Sequence, residues 1–308
     1  VSAEPSPDGR SRPATDAQRL QVLEKLLGRR RAESSRFLEA ARREGISLQD
    51  LWGRYDAHGH LVAAALLSLN PGRTASLLIS PLTSREQAAE STQLVRDMTR
   101  PALRDGAIDL IQYLGDPNDH LEISTLVDAG FITLAVLASM ERPNTHHARP
   151  CDPPAEVELT SDPIPDDDMI ELLRATYEES LDCPGLSDLR RDRDILDGHR
   201  RGGNFDLRLW SVLKVGGRNA GVAIVNRTPG ADCVEIAYFG LAKPARGRGL
   251  GGLLLDRALN LAGKQPERSV VLAVDERNEP ALRLYASRGF RVIARRAALA
   301  LSSRRCST

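Results

Sequence analysis

Two stretches of the chain concentrate residue types that could do chemistry. Glu235–Gly251 reads EIAYFGLAKPARGRGLG: an apolar run from Ile236 to Leu241, a proline-containing turn at Ala242–Ala245, then Arg246-Gly247-Arg248-Gly249-Leu250-Gly251. The glycine-rich turn opens a helical pattern with Leu250, Leu254, Ala258 and Leu261 on one face. The first N–H groups of a helix lack intrahelical partners, and the macrodipole adds partial positive charge there. A strand feeding such a helix start is therefore an anion site. Glycines let the backbone approach phosphate oxygens, and Arg246 and Arg248 supply full charges. The expected ligand carries phosphates.

The spacing narrows which phosphates. It lacks the G-x-x-x-x-G-K-[ST] order of a nucleoside triphosphate loop. Gly247, Gly249 and Gly251 do not fit G-x-G-x-x-G, and no early βαβ unit surrounds them, which disfavours a dinucleotide fold. The second stretch, Asn278-Glu279-Pro280-Ala281-Leu282-Arg283-Leu284-Tyr285 with Gly289-Phe290, starts on a residue suited to cap a helix. Tyr285 brings a phenol that stays protonated at neutral pH, suited either to core packing or to proton donation.

In that order the two stretches match Q/R-x-x-G-x-G/A, with Arg246 in the Q/R position, and N-x-x-A-x-x-L-Y-x-x-x-G-F. By these motifs the chain resembles the GNAT acyltransferase superfamily. The resemblance implies acetyl-CoA or another acyl-CoA as donor, its pyrophosphate cradled by Arg246, Gly247, Arg248, Gly249, Leu250 and Gly251. It implies that Phe239, Leu241 and Asn278 meet the pantetheine arm, and that Tyr285 protonates the departing thiolate. Glu235 stands eleven residues before Arg246. That is similar to the catalytic glutamate of the superfamily's histone acetyltransferases and to an acidic residue in mycothiol synthases, whose tandem layout this chain also resembles. A carboxylate among apolar strand neighbours has a raised pKa, useful for a base acting through water, although an exposed strand glutamate fits as well. Tyr238 should point to the opposite face from Glu235, because strand side chains alternate.

The acceptor site is expected from two helices and their loop, Tyr177–Arg200, together with inter-domain surface and Tyr238; Glu178, Glu179, Asp182 and Asp188 could hold a cationic amine or form a solvated acidic face. Cys183 is a candidate substrate contact only, since direct transfer needs no covalent nucleophile. The reaction implied is acetyl transfer to a primary amine of a small molecule. A protein or peptide N-acetyltransferase and a non-catalytic acyl-CoA sensor are the alternatives.

These residues need a scaffold, and the scaffold is written twice. LVAAALLSLNPGRTASLLISP (Leu61–Pro81) and NAGVAIVNRTPGADCVEIAYFGLAKP (Asn219–Pro244) are each strand, Pro-Gly turn, strand and proline. LIQYLGDPNDHLEISTLVDAGF (Leu110–Phe131) parallels VVLAVDERNEPALRLYASRGF (Val270–Phe290). The expected fold is α/β (α+β): two tandem GNAT-like domains, each a mixed central sheet flanked by helices. The expected divisions are a mobile tail at 1–14, a degenerate domain at 15–142, a linker at 143–155 and a catalytic domain at 156–308. In the first copy the loop position, Thr83–Ser91, has no glycine and two glutamates, and Asn118 occupies the Asn278 position. That copy is expected to bind no coenzyme. Helices are expected around Asp16–Leu27, around Phe37–Ala41, at Asp166–Ser180 and at Asp188–Arg200. Strands are expected at Ile132–Met140 and Arg291–Leu301.

Composition excludes little else. Lys+Arg 42 balance Asp+Glu 42 over 308 residues, so no global field favours nucleic acid or an anionic membrane. No apolar run reaches a membrane span, and the first residues lack a signal peptide's apolar core. Cys151, Cys183, Cys233 and Cys306 have neither metal nor disulfide spacing, and His146 and His147 fall in the proline-rich seam. A cytoplasmic, monomeric protein without a metal is the expectation.

Overall fold

A computed structural model describes residues 10–28, 39, 47–145, 153–201 and 204–305. The described chain runs β1 (Arg10–Pro13), α1 (Arg19–Leu27), β2 (Leu51–Tyr55), β3 (Leu61–Asn70), β4 (Thr74–Ile79), α2 (Arg85–Arg104), β5 (Leu110–Gly115), α3 (His120–Ala129) and β6 (Ile132–Pro143). It continues as β7 (Val157–Thr160), α4 (Asp166–Tyr177), α5 (Asp192–Arg201), β8 (Ser211–Val215), β9 (Arg218–Thr228), β10 (Cys233–Leu241), α6 (Leu250–Ala262), β11 (Ser269–Asp275), α7 (Glu279–Ser287) and β12 (Arg291–Ser302). All of the helix expected around Phe37–Ala41 except residue 39, together with the pair His146 and His147, Cys151 and Cys306, lies outside the described residues. Arg10–Pro13, read from sequence as part of a mobile tail, is instead an edge strand paired antiparallel with β2.

Two units divide the chain, Val1–Leu134 with Ala297–Thr308, and Ala135–Arg296. In the first, the strand order is β1-β2-β3-β4-β5 followed by residues Ala297–Ser302 of β12. In the second, residues Leu137–Pro143 of β6 are followed by β11-β10-β9-β8-β7. Both are mixed sheets. Every pairing just named is antiparallel except β4 with β5 in one unit and β10 with β11 in the other. Each unit thus takes one strand from the other half of the sequence. The sequence pattern placed Ile132–Met140 with the first copy and Arg291–Leu301 with the second.

The duplication is visible in the hydrogen bonds. Just after β5, Asp116 Oδ1 accepts from the Asn118 amide at 2.9 Å, and at the last residue of β11, Asp275 Oδ1 accepts from the Arg277 amide at the same distance. The next residue caps the following helix: Asp119 accepts from the Glu122 amide, and Asn278 from the Ala281 amide. The counterpart of Asn278 is therefore Asp119 and not Asn118. Gly130-Phe131 and Gly289-Phe290 follow the two caps at equal distance along the chain.

In the second unit α6 buries Leu254, Leu255, Ala258 and Ala262 against Ile236 and Leu272 of the sheet. On the opposite face α4 and α5 bury Leu172, Leu173 and Leu196 against Val222 and Ile224. The period-3.6 apolar stripes of the helices and the period-2 pattern of β9 put these residues together.

Candidate active site

The site begins where two parallel strands part. Cys233–Glu235 of β10 pair with Ser269–Val271 of β11, and the pairing stops there. β10 continues to Leu241 along β9, while β11 continues to Asp275 along β6. A register shift between Ile236 and Tyr238 leaves Ala237 as an extra residue, a bulge of the kind that increases local twist. Between the separated strand ends lies a cavity of about 680 Å³. Tyr238–Leu241, Val274, the loop Glu179–Asp182, the glycine-rich turn and the start of α7 line it.

The glycine-rich turn has the geometry of an anion cradle. Gly247 and Gly249 have φ of +72° and +76°, the left-handed region in which glycine carries no steric cost. Gly249 is also the residue before the first turn of α6, with no side-chain cap. The amides of Gly247, Arg248, Gly249, Leu250 and Gly251 donate to no backbone carbonyl among the described residues. Successive N–H groups of this kind make a nest for an anion, reinforced by the α6 dipole. These residues fit a pyrophosphate.

The arginines act differently from their expected charge role. Arg246 Nε donates to the Leu241 carbonyl at 2.9 Å. Its other nitrogens donate to the carbonyls of Thr176, Glu178 and Glu179 at 3.0, 2.8 and 3.0 Å. The guanidinium thus ties the C-terminal end of α4 to the end of β10. Arg248 extends toward Glu156, 3.6 Å away. The cradle is built of backbone, and Arg246 holds it against its neighbour. Arg246→Ala should lower stability by about 1.5–3 kcal/mol, the worth of losing charge-assisted hydrogen bonds. Arg246→Lys should not restore it, because one ammonium cannot span four carbonyls. Denaturant midpoints check both.

Across the cavity stand Asn278 and Tyr285. Asn278 caps α7 through Oδ1, which leaves its N–H groups available at the cavity wall. Tyr285 is only 5% exposed and packs edge-on to Phe239 and Phe290, with ring centroids 6.0 and 5.9 Å apart. Burial first, and the Asp182 charge second, push its phenol well above the ordinary tyrosine range. Phe239 and Leu241 also line the cavity.

The carboxylates sort differently from expectation. Glu235 is the last residue of β10 paired with β11; it is exposed and does not line the cavity, although partial desolvation raises its pKa. The bulge changes the face of Tyr238. Val234 and Ile236 pack toward α6, whereas Ala237 and Tyr238 both pack toward α4 and α5, the side to which alternation directs Glu235. Tyr238 therefore shares the face of Glu235, contrary to simple alternation. Its hydroxyl shares a 2.7 Å hydrogen bond with Thr176 Oγ1, and its ring lies 5.2 Å from that of Tyr177. A methyl on Gly240 would sit 2.7 Å from that hydroxyl and 2.9 Å from Thr176 Cβ. Gly240→Ala should cost about 1–3 kcal/mol through overpacking, read as a fall in Tm.

The loop after α4 supplies the rest. Glu178 and Asp188 are exposed and do not line the cavity, and Glu179 pairs with Lys243. Asp182 does line it. Cys183 is half-buried, and desolvation, then Asp182 and Asp275, push its thiol up to about 12, so it stays neutral. Sequence reasoning missed Asp275 and Arg277. The fully buried Asp275 accepts from Cys183 N–H at 3.3 Å and holds Arg277, while the Asp275 amide donates to Asp182 Oδ1 at 2.7 Å. The signal was available: Asp116 occupies the same place in the first copy. Among the described residues no cluster of His, Cys, Asp and Glu could hold a metal, and no helix is long and apolar enough to cross a membrane.

Comparison with known proteins bears on the fold. Residues 167–290 match the model of the acetyltransferase (GNAT) family. Among proteins of curated function, none matches the chain in sequence. A GCN5-related N-acetyltransferase from Sphaerobacter thermophilus is similar in structure, with TM-score 0.59 and 16% identity over 96% of both chains. A tandem GNAT protein from the clavulanic acid biosynthesis pathway has TM-score 0.51 and 17% identity, over 96% of this chain and 99% of that one. A GCN5-related glucosamine N-acetyltransferase region of a fungal multi-domain GH3 beta-N-acetylglucosaminidase has TM-score 0.55 and 14% identity, over 96% of this chain and 38% of that one. The chain has the fold of these tandem GNAT proteins, and its segment 167–290 matches the acetyltransferase (GNAT) family model.

Proposed function

We propose that the second unit transfers an acetyl group from acetyl-CoA to a primary amine of a small molecule. The observation that carries this reading is the convergence of the amide nest, Asn278 and Tyr285 on one cavity. The coenzyme, when bound, supplies an activated thioester. The nest and the α6 dipole hold its pyrophosphate. The edge of β10 left without a strand neighbour beyond Glu235 offers backbone groups to the pantetheine amides. The buried Tyr285 keeps its proton until sulfur departs, then donates it. The acceptor must be deprotonated, and two carboxylates are candidates, Glu235 on β10 and Asp182 in the loop.

A small acceptor is favoured over a peptide because the loop Glu179–Asp182 forms a wall of the cavity. That loop is fastened by Arg246, Lys243 and the Asp182–Asp275 contact. The first unit is read as silent toward coenzyme. Its equivalent helix start is already capped, with Ser84 accepting from the Gln87 amide and Gln87 Oε1 from the Thr83 amide. Leu126 stands there at the same offset from its cap as Tyr285 from Asn278. Calorimetric titration with acetyl-CoA should give one site per chain. Two sites would refute a silent first unit, and no binding at millimolar ligand would refute the enzyme reading.

A further inference from the structure

We propose that Asp182, and not Glu235, is the carboxylate that receives the acceptor's ammonium group and takes its proton. The inference rests on the acyl-transfer reading above. Asp182 and Tyr285 line the same cavity, and Glu235 does not. The Asp182 charge acts on the phenols of Tyr177, Tyr238 and Tyr285, which line the same cavity.

Its surroundings leave the carboxylate available. Asp182 is exposed to solvent at the cavity; partial desolvation raises its pKa, the Asp275 amide lowers it, and the Asp275 charge raises it again. The nearby cations are engaged elsewhere. Arg277 is held by Asp275, and the Arg246 guanidinium donates to four backbone carbonyls. The other titratable neighbours, the Cys183 thiol and the phenols of Tyr177, Tyr238 and Tyr285, are all pushed upward and stay neutral. Hydrogen bonds among the described residues engage Oδ1. A positively charged ligand group supplies the missing partner. The loop that presents Asp182 is strained, with Glu179 and Cys183 at φ of +48° and +47°. Strain of this kind persists only where surrounding contacts impose it, as the buried Asp275 does here.

The step balances as follows. One N–H bond of the ammonium breaks as its proton passes to Asp182, which releases it to water. The N–C bond forms and the C–S bond breaks. Tyr285 gives its proton to sulfur and regains one from the new amide nitrogen. The products are the amide, the free thiol and one proton.

The test needs no knowledge of the acceptor. Two conjugates of coenzyme A serve as probes: one carries a 3-aminopropyl group on sulfur, the other a plain propyl group. Calorimetry should find the ammonium conjugate at least tenfold tighter on the unmodified protein. Asp182→Asn, whose amide oxygen still accepts from the Asp275 amide, should abolish that preference while keeping the propyl affinity. Glu235→Gln should keep the preference. Lowering the pH through the raised Asp182 pKa should erase the preference in the unmodified protein, because the carboxylate protonates. A preference surviving Asp182→Asn, or lost with Glu235→Gln, would overturn the assignment, as would equal affinity for both probes on the unmodified protein. Failure of both probes to bind would instead refute the coenzyme reading and the proposal with it.

Discussion

Replacing Gly249 with glutamate should weaken acetyl-CoA binding by at least a hundredfold, which is about 2.7 kcal/mol. Gly249 sits at φ +76° immediately before the first turn of α6, among the amides that form the nest. A carboxylate placed there faces the coenzyme's phosphates. Two like charges about 4 Å apart at a protein surface repel by about 4 kcal/mol before salt screening. Steric rejection is not the mechanism, since a Cβ at Gly249 would meet nothing within 4 Å. Backbone strain is separable. Asparagine visits the left-handed region more readily than other non-glycine residues, so Gly249→Asn carries most of the side chain without the charge. The asparagine variant should bind within about tenfold of the parent, a difference of about 1.4 kcal/mol. Titration calorimetry of both variants, with Tm as a check on folding, reads the result. Unchanged affinity in the glutamate variant would put the phosphates elsewhere.

Tyr285→Phe should lower kcat by about 10²–10⁴-fold, the usual worth of a positioned acid, and leave coenzyme affinity unchanged. The ring contacts with Phe239 and Phe290 survive in phenylalanine, so the fold should not suffer. The hydroxyl alone is removed. Because burial pushes this phenol upward, its proton is present throughout the neutral range, and Tyr285 should add no limb to the pH–rate profile there. The acidic limb should belong to the base. Its carboxylate is the active form, so activity should fall as pH drops through its raised pKa. Turnover equal to the parent's in the phenylalanine variant would require another acid.

Several features of this protein were legible in its residues alone. The glycine-rich turn before a helix start was legible in the sequence, and in the fold Gly247 and Gly249 take the left-handed conformation that glycine adopts at no steric cost. Asn278 announced a helix cap by its chemistry, and it caps α7. The repeated strand–turn–helix order announced two copies of one fold, because binary patterns and turn residues act locally. Other features were set by contacts distant in sequence. The pattern at Ile132–Met140 and at Arg291–Leu301 identified strands, but ladder hydrogen bonds join backbone to backbone and carry no side-chain label. Which sheet each strand completed was therefore decided only in the folded chain. The bulge at Ala237 moved Tyr238 to the face of Glu235, because an inserted residue resets alternation and depends on the register with β9. Arg246 lines the cavity as its motif position suggests, but only the fold brings together the four carbonyls of α4, its following loop and β10 to which its guanidinium donates. Asp182 was one of several acidic residues in a loop. Asp275, far along the chain, anchors that loop, and the same fold leaves Asp182 rather than Glu235 lining the cavity.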